Sequence, residues 1–159
     1  MQSLYDKEMA KPMWQELADI GVKPLTNSNE VEEFMANKSG TALVVINSVC
    51  GCSAGSARPG VALALQNKTI PDHLATVFAG IDREATEKAR TYIIGHPSSS
   101  PSVALFEDGQ VVFMLERHQI EGAEAEEVAA ALIEAFNRHC KRPGPSVSEL
   151  QLKKAFGLA

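Results

Sequence analysis

The run Thr41–Asn47 (TALVVIN) constrains this chain more than any other stretch. A short run rich in β-branched and apolar residues, free of Gly and Pro, reads as a strand buried inside a sheet. Two cysteines follow almost at once, one residue apart, as Cys50-Gly51-Cys52. A helical pattern over residues 52–66 begins directly after them, interrupted by Arg58-Pro59-Gly60, where proline removes a helical hydrogen bond and is expected to kink the helix. The sequence therefore places two thiols at a strand-to-helix junction.

The rest of the chain reads as the frame around that junction. Residues 3–20 carry Met9, Met13, Leu17 and Ile20 at spacings of three and four, one apolar helical face. Pro12 interrupts it, which predicts a kinked helix or two short turns, and Gly21 and Pro24 end it. A second short helix is expected from Ser28 as N-cap, without a capping-box glutamate, with Val31, Phe34 and Met35 inward and an end at Asn37 to Gly40. Residues 74–79 (LATVFA) read as another buried strand. Residues 82–94 read as a polar helix, and residues 95–101 as a loop of turn formers. Residues 102–106 and 110–116 read as strands joined by an Asp108-Gly109 hairpin turn. Residues 124–140 form a long amphipathic helix with Val128, Leu132, Ile133 and Phe136 inward. Residues 141–159 open with Lys-Arg-Pro-Gly-Pro and read as a linker and a weak helix carrying Leu152, Phe156 and Leu158. Right-handed crossovers make the first strands parallel, and the hairpin adds an antiparallel pair. The expectation is an α/β fold with a mixed sheet flanked by helices. It divides into a domain over residues 1–140, with a helical N-terminal extension over 1–40, and a C-terminal tail over 141–159.

Charge and hydropathy narrow the function. The formal net charge is -5 and the basic residues are scattered, which argues against a nucleic-acid partner, since phosphate recognition needs clustered Lys and Arg. No apolar h-region opens the chain, and no run approaches the ~18 apolar residues of a membrane helix. A cytoplasmic protein without a membrane partner is expected. In a reducing compartment, closely spaced cysteines point to reactivity or metal binding, not to a static disulfide.

A helix N-terminus presents unpaired N–H groups and partial positive charge, and both favour a thiolate, the reacting form of cysteine. Cys50, just before the helix, is expected to be the more exposed thiol, and Cys52, within the first turn, the more shielded. Gly51 is expected to supply backbone freedom so that the two side chains can approach. A disulfide across one residue closes a small ring and suits exchange, not support. Two other readings stay open: small buried hydrophobes, or half of a metal shell completed by Cys140, His118 or His139, or by a second copy in a homodimer.

Residues 44–59 (VVINSVCGCSAGSARP), 99–106 (SSPSVALF) and 116–122 (ERHQIEG) together resemble the bacilliredoxin family, and the likeness runs through most of residues 4–140. The resemblance implies a thioredoxin-like fold. It implies a thiol–disulfide oxidoreductase acting on mixed disulfides between bacillithiol and protein cysteines. Members are also described as disulfide reductases or isomerases with a Cys-X-Cys motif. Cys50 would be the nucleophile and Cys52 the resolving thiol. Bacillithiol would be the thiol co-substrate, with no bound cofactor. Partners would be bacillithiolated or disulfide-containing proteins and a low-molecular-weight thiol. The same resemblance makes Pro101 a cis-proline facing the cysteines, with Ser100 beside the substrate, and makes Pro59 the kink proline of the active-site helix. It leaves residues 141–159 outside the family core.

Three further residues bear on function. Arg58, on the active-site helix, is placed to bind an anionic thiol or else to be a solvated helix charge. His118 reads as a structural turn residue more readily than as a proton shuttle. Cys140 ends the long helix, away from any helix start, and reads as an inert packing residue.

Overall fold

The computed structural model describes residues 1–36 and 39–157. In chain order the elements are α1 (Lys7–Ala18), β1 (Lys23–Pro24), α2 (Ser28–Ala36), β2 (Thr41–Asn47), a π turn (Ser53–Ala57), α3 (Arg58–Ala64), β3 (Thr69–Ile70), β4 (His73–Phe78), α4 (Arg83–Tyr92), β5 (Ser102–Glu107), β6 (Gln110–Leu115), α5 (Arg117–Ile120), α6 (Ala125–His139), β7 (Arg142–Pro143) and α7 (Glu149–Ala155).

All seven residues of β2 are buried. Side chains alternate between faces along a strand, so Leu43 and Val45 pack with α3 and α6 on one side of the sheet. Ala42, Val44 and Ile46 pack with α2 and α4 on the other. The main sheet has the order β1-β4-β2-β5-β6. β2 runs parallel to β4 and antiparallel to β5, and β5 runs antiparallel to β6. The sheet is mixed, as expected. Asp108 and Gly109 turn the hairpin with φ of 50° and 84°, the positive pair that a two-residue type I′ turn requires.

This topology determines where the functional groups gather. Because β5 is antiparallel to β2, its first residue Ser102 lies opposite Ile46, near the end of β2. Leu115, the last residue of β6, lies opposite Val103. The segments leaving β2, entering β5 and leaving β6 therefore meet at one end of the sheet.

Several elements depart from the sequence expectations. α1 is continuous through Pro12. Pro12 lies on the exposed side, where the carbonyl that loses its donor faces solvent. The buried positions of α1 are Ala10 and Leu17, with Met13 and Trp14 half-buried, while Met9 is exposed. Alanine carries a weak apolar signal, so Ala10 takes the inward place that Met9 was expected to fill, while Met13, Leu17 and Ile20 face inward as expected. The α2 cap also moves: the Asn27 side chain accepts from Glu30 N at 2.9 Å, and the Glu30 carboxylate accepts from Thr26 N at 2.7 Å. Asn37 and Leu158 lie outside the described residues.

The helix after the cysteines does not break at Arg58-Pro59-Gly60. It widens. Proline has no N–H and its ring crowds the carbonyl four residues back, and the turn ahead of it opens so that Arg58 N–H reaches Ser53 O, five residues back. Gly60 then allows close contact with α6, since a Cβ there would lie 2.5 Å from Val128 Cγ1. Ile133 is only partly buried.

The segment after residue 140 is not a free linker. β7 pairs antiparallel with β3. Ser146 Oγ donates to Ile20 O at 2.8 Å, and Leu152 is buried in the core that α3 and α6 share. Alternating Pro and Gly hide the two-residue strand from any periodicity argument.

Candidate active site

Asn47 ends β2 with its side chain fully buried. Its Oδ1 accepts from Ser48 N at 2.9 Å, from Ser53 Oγ at 2.8 Å and from Arg58 Nη1 at 3.1 Å, while Nδ2 donates to Met13 O at 3.0 Å. This polar hub ties the strand end to the helix that follows. The chain between them, Val49 to Cys52, is held over it. Ser48 Oγ accepts from Cys50 N at 2.9 Å, and Cys50 O accepts from Ser53 N at 3.0 Å. Cys50 thus sits at the cap of the helix and Cys52 in its first turn.

Cys50 Sγ and Cys52 Sγ are 2.7 Å apart. Both are free thiols of intermediate exposure. Their proton affinities diverge. The Cys52 thiol and backbone N–H, joined by the Arg117 charge, hold the Cys50 thiol below the ordinary range despite partial burial. Burial first, then the neighbouring Cys50 sulfur, pushes the Cys52 thiol up. Both shifts favour Cys50 as the thiolate of the pair and Cys52 as the thiol.

The Ser100–Pro101 peptide is cis, and Ser100 lines a groove of about 330 Å³ together with Cys50, Val49, Leu4, Tyr5, Gly80 and Arg117. Arg117 was not singled out by sequence, yet it joins the two sides of this groove. Its Nη1 donates to Ser100 O at 3.1 Å and its Nη2 approaches Cys50 Sγ at 3.5 Å. A capping box between Glu116 and Gln119 orders the start of α5, and Arg117 N donates to Ser99 Oγ at 3.3 Å. The sequence signal was the Glu-x-x-Gln spacing at the end of a strand, which marks a helix start but does not say what it faces.

Arg58 is a correction. It is neither a solvated charge nor a ligand for an anionic thiol. It is 5% exposed, with Nε on Glu16 Oε1 at 2.6 Å and Nη1 shared among Asn47 Oδ1, Ser48 O and Ser53 Oγ. The wide turn directs it inward, beneath the cysteines.

Gly51 differs from expectation as well. It is exposed, its φ lies outside the left-handed region, and a Cβ there would meet nothing within 4 Å. Backbone freedom is not what the reduced site asks of it. Gly51→Ala is expected to raise stability by about 0.4–1 kcal/mol through the unfolded chain. Urea unfolding of the reduced protein checks this, and a loss instead would show a constraint at position 51.

The remaining candidates lie elsewhere. Cys140 contacts Thr41, at the opposite end of β2 from Cys50, and burial pushes its thiol up to about 11. Six residue steps along a strand span roughly 20 Å. His118 is exposed on α5, and His139 Nδ1 pairs with Glu107 Oε1 at 3.0 Å. Among the described residues, no group of three or more His, Cys, Asp or Glu converges to hold a metal ion. Among the same residues, no helix is long and apolar enough to cross a membrane.

The family model described as "Disulphide isomerase" matches residues 5–140. The Bacilliredoxin of Cytophaga hutchinsonii is 50% identical over 129 residues, covering 81% of this chain and 95% of that protein. The chain belongs to the bacilliredoxin family. Bacilliredoxin BH1716 of Halalkalibacterium halodurans is 48% identical over 137 residues, covering 86% of this chain and 95% of that protein. The Bacilliredoxin of Salinibacter ruber is 46% identical over 164 aligned positions, covering 96% of each chain. That share exceeds what residues 1–140 alone can fill, so part of the packed C-terminal segment has a counterpart in a bacilliredoxin. The oxidised thioredoxin from Plasmodium falciparum superposes with a TM-score of 0.50 at 18% identity, over 74% of this chain and 97% of that one. The fold is thioredoxin-like. As a bacilliredoxin, the protein is a thiol–disulfide oxidoreductase, and disulfide-containing proteins are its substrates.

Proposed function

We propose that this protein removes bacillithiol from protein mixed disulfides, with Cys50 as nucleophile and Cys52 as resolving thiol. The observation that carries this reading is the split between two adjacent sulfurs, one favoured as a thiolate and one held protonated beside it. The Cys50 thiolate attacks the bacillithiol sulfur. The bond between that sulfur and the protein cysteine breaks, the protein cysteine leaves as a thiolate, and bacillithiol is joined to Cys50. Cys52, once deprotonated, attacks Cys50 Sγ and expels bacillithiol as a thiolate. The product is a Cys50–Cys52 disulfide that an external thiol must reduce. Loss of charge from Cys50 on forming the adduct removes one cause of the raised Cys52 proton affinity, so the resolving thiol is activated in the step that needs it. Ser100, before Pro101, offers backbone along which an extended protein substrate can pair. The place of action is the cytoplasm, where protein thiols are kept reduced.

The test is one turnover with a bacillithiolated protein, read by intact mass. Cys52→Ala is expected to accumulate one bacillithiol on Cys50, while wild type releases it and loses two hydrogens. Wild type that reduces ordinary protein disulfides but never takes up bacillithiol would instead make it a general disulfide reductase or isomerase.

A further inference from the structure

Away from the cysteines, α1, the end of β4 and the start of α4 enclose a second cavity, of about 460 Å³. That volume lies in the range of small-molecule sites, and no residue lining it also lines the groove at Cys50. Buried Phe78 and Ile81 form its floor with the half-buried Trp14. The same floor packs against Val49, the residue before Cys50, so the cavity and the thiol loop share one apolar partition. Lys7, Lys11 and Trp14 recur at spacings of four and three, which places two lysines and the aromatic ring on one face of α1. The polar groups around the cavity divide into engaged and free. Thr26 Oγ1 donates to Glu30 Oε1 at 2.7 Å, and Thr76 Oγ1 donates to Val45 O at 2.7 Å. Lys7 and Lys11 form no salt bridge among the described residues. Asp82 opens α4 as its N-cap, where the side chain ordinarily accepts from the helix backbone, yet its carboxylate caps nothing and lines the cavity. Burial pushes its proton affinity up against the pull of the Lys7 charge, as expected of a carboxylate short of donors. Glu8 reaches the same rim but is exposed to solvent.

We propose that this cavity is a second binding site, separate from the thiol groove, for a flat aromatic molecule that carries an acidic group, held by Lys7 and Lys11, and a hydrogen-bond donor, held by Asp82. Each part of that ligand answers a feature of the cavity. Trp14 and Phe78 offer ring faces and edges against which an aromatic body packs. The two lysines, one turn apart on α1, supply mobile ammonium groups that can close on an anion at the mouth. Asp82, on the wall opposite α1, is left with acceptor capacity that an N–H or O–H of the ligand fills. No bond is made or broken, and the inference does not depend on which cysteine attacks.

The experiment titrates the full-length protein with two probes that share their rings and a bridging N–H: anilinonaphthalene sulfonate, which is an anion, and N-phenylnaphthylamine, which is not. Neither contains a thiol or a disulfide, so the outcome is independent of the exchange chemistry at Cys50. Trp14 is the only tryptophan of the chain, and its indole N–H resonance reports occupancy of this cavity and no other. Both probes are expected to shift that resonance and to saturate at one molecule per chain. Lys7→Gln combined with Lys11→Gln is expected to weaken the sulfonate about tenfold and the neutral probe less than twofold, the scale of two exposed charge pairs. Unchanged binding of the neutral probe also shows that the variant keeps the cavity intact. Asp82→Ala is expected to weaken the neutral probe about threefold, the loss of one partly exposed hydrogen bond. Probe fluorescence that rises without moving the Trp14 resonance places the dye elsewhere and overturns the proposal. Equal weakening of both probes by the lysine variant, or of neither, removes the acidic group from the ligand and overturns it as well.

Discussion

Cys50→Ala is expected to lower the rate of mixed-disulfide reduction by at least about 10³-fold, the scale on which removal of a covalent nucleophile acts. Steady-state release of thiol from a modified carrier protein measures it. No second sulfur can take over. Cys52 is the shielded member of the pair, pushed toward its protonated form by burial, and Cys140 lies buried at the other end of β2. The variant should fold normally, since the Cys50 side chain is only half-buried and its backbone contacts to Ser48 and Ser53 do not use the sulfur. A Cys50→Ala protein that keeps a tenth of wild-type activity, or a fully inactive Cys52→Ala protein that takes up no adduct, would reverse the assignment.

The second large effect concerns stability. Arg58→Ala is expected to cost about 3–5 kcal/mol in urea unfolding, because it breaks a buried ion pair and leaves its partners without a donor. Glu16 would keep its charge against a vacated site, and Asn47 Oδ1, Ser48 O and Ser53 Oγ would each lose a charge-assisted bond. Glu16→Gln should cost less, since that side chain is 24% exposed and water can replace part of the interaction. A loss below about 1 kcal/mol for Arg58→Ala would mean that the guanidinium contacts are not a structural anchor.

The same residue shows where reading the sequence stops. β2, the hairpin at Asp108-Gly109 and the position of the thiols were legible, because each is written in neighbouring residues. Alternation, turn chemistry and a strand-to-helix junction need no distant partner. Arg58 needs Glu16, 42 positions earlier, and its burial follows from a widened turn that one-dimensional periodicity does not encode. Arg117 lies 67 positions from Cys50, and only the antiparallel return of β5 and β6 brings the two together. β1, β3 and β7 have two residues each, too few to show any period. Met9 misled because methionine is the louder apolar signal, while Ala10 is the residue the core accepts.

A π turn is a helix with its angular phase advanced by one position, and one residue of an α-helix corresponds to about 100° of rotation. The cysteine-bearing end and the core-facing end of this helix are therefore clocked against each other, with Ser53–Ala57 as the offset between them. Ala54 and Gly55, in the middle of that offset, are exposed, and a Cβ on Gly55 would touch nothing within 4 Å. Side-chain identity there is nearly free, but the count of residues is not. Deleting one would swing Cys50 by about a third of a turn relative to Val61 and Leu65, away from Arg117 and Ser100, while changing no residue that touches any of them. At this segment the dimension that matters is chain length, and a single-codon deletion would act as a rotation of the reactive sulfur.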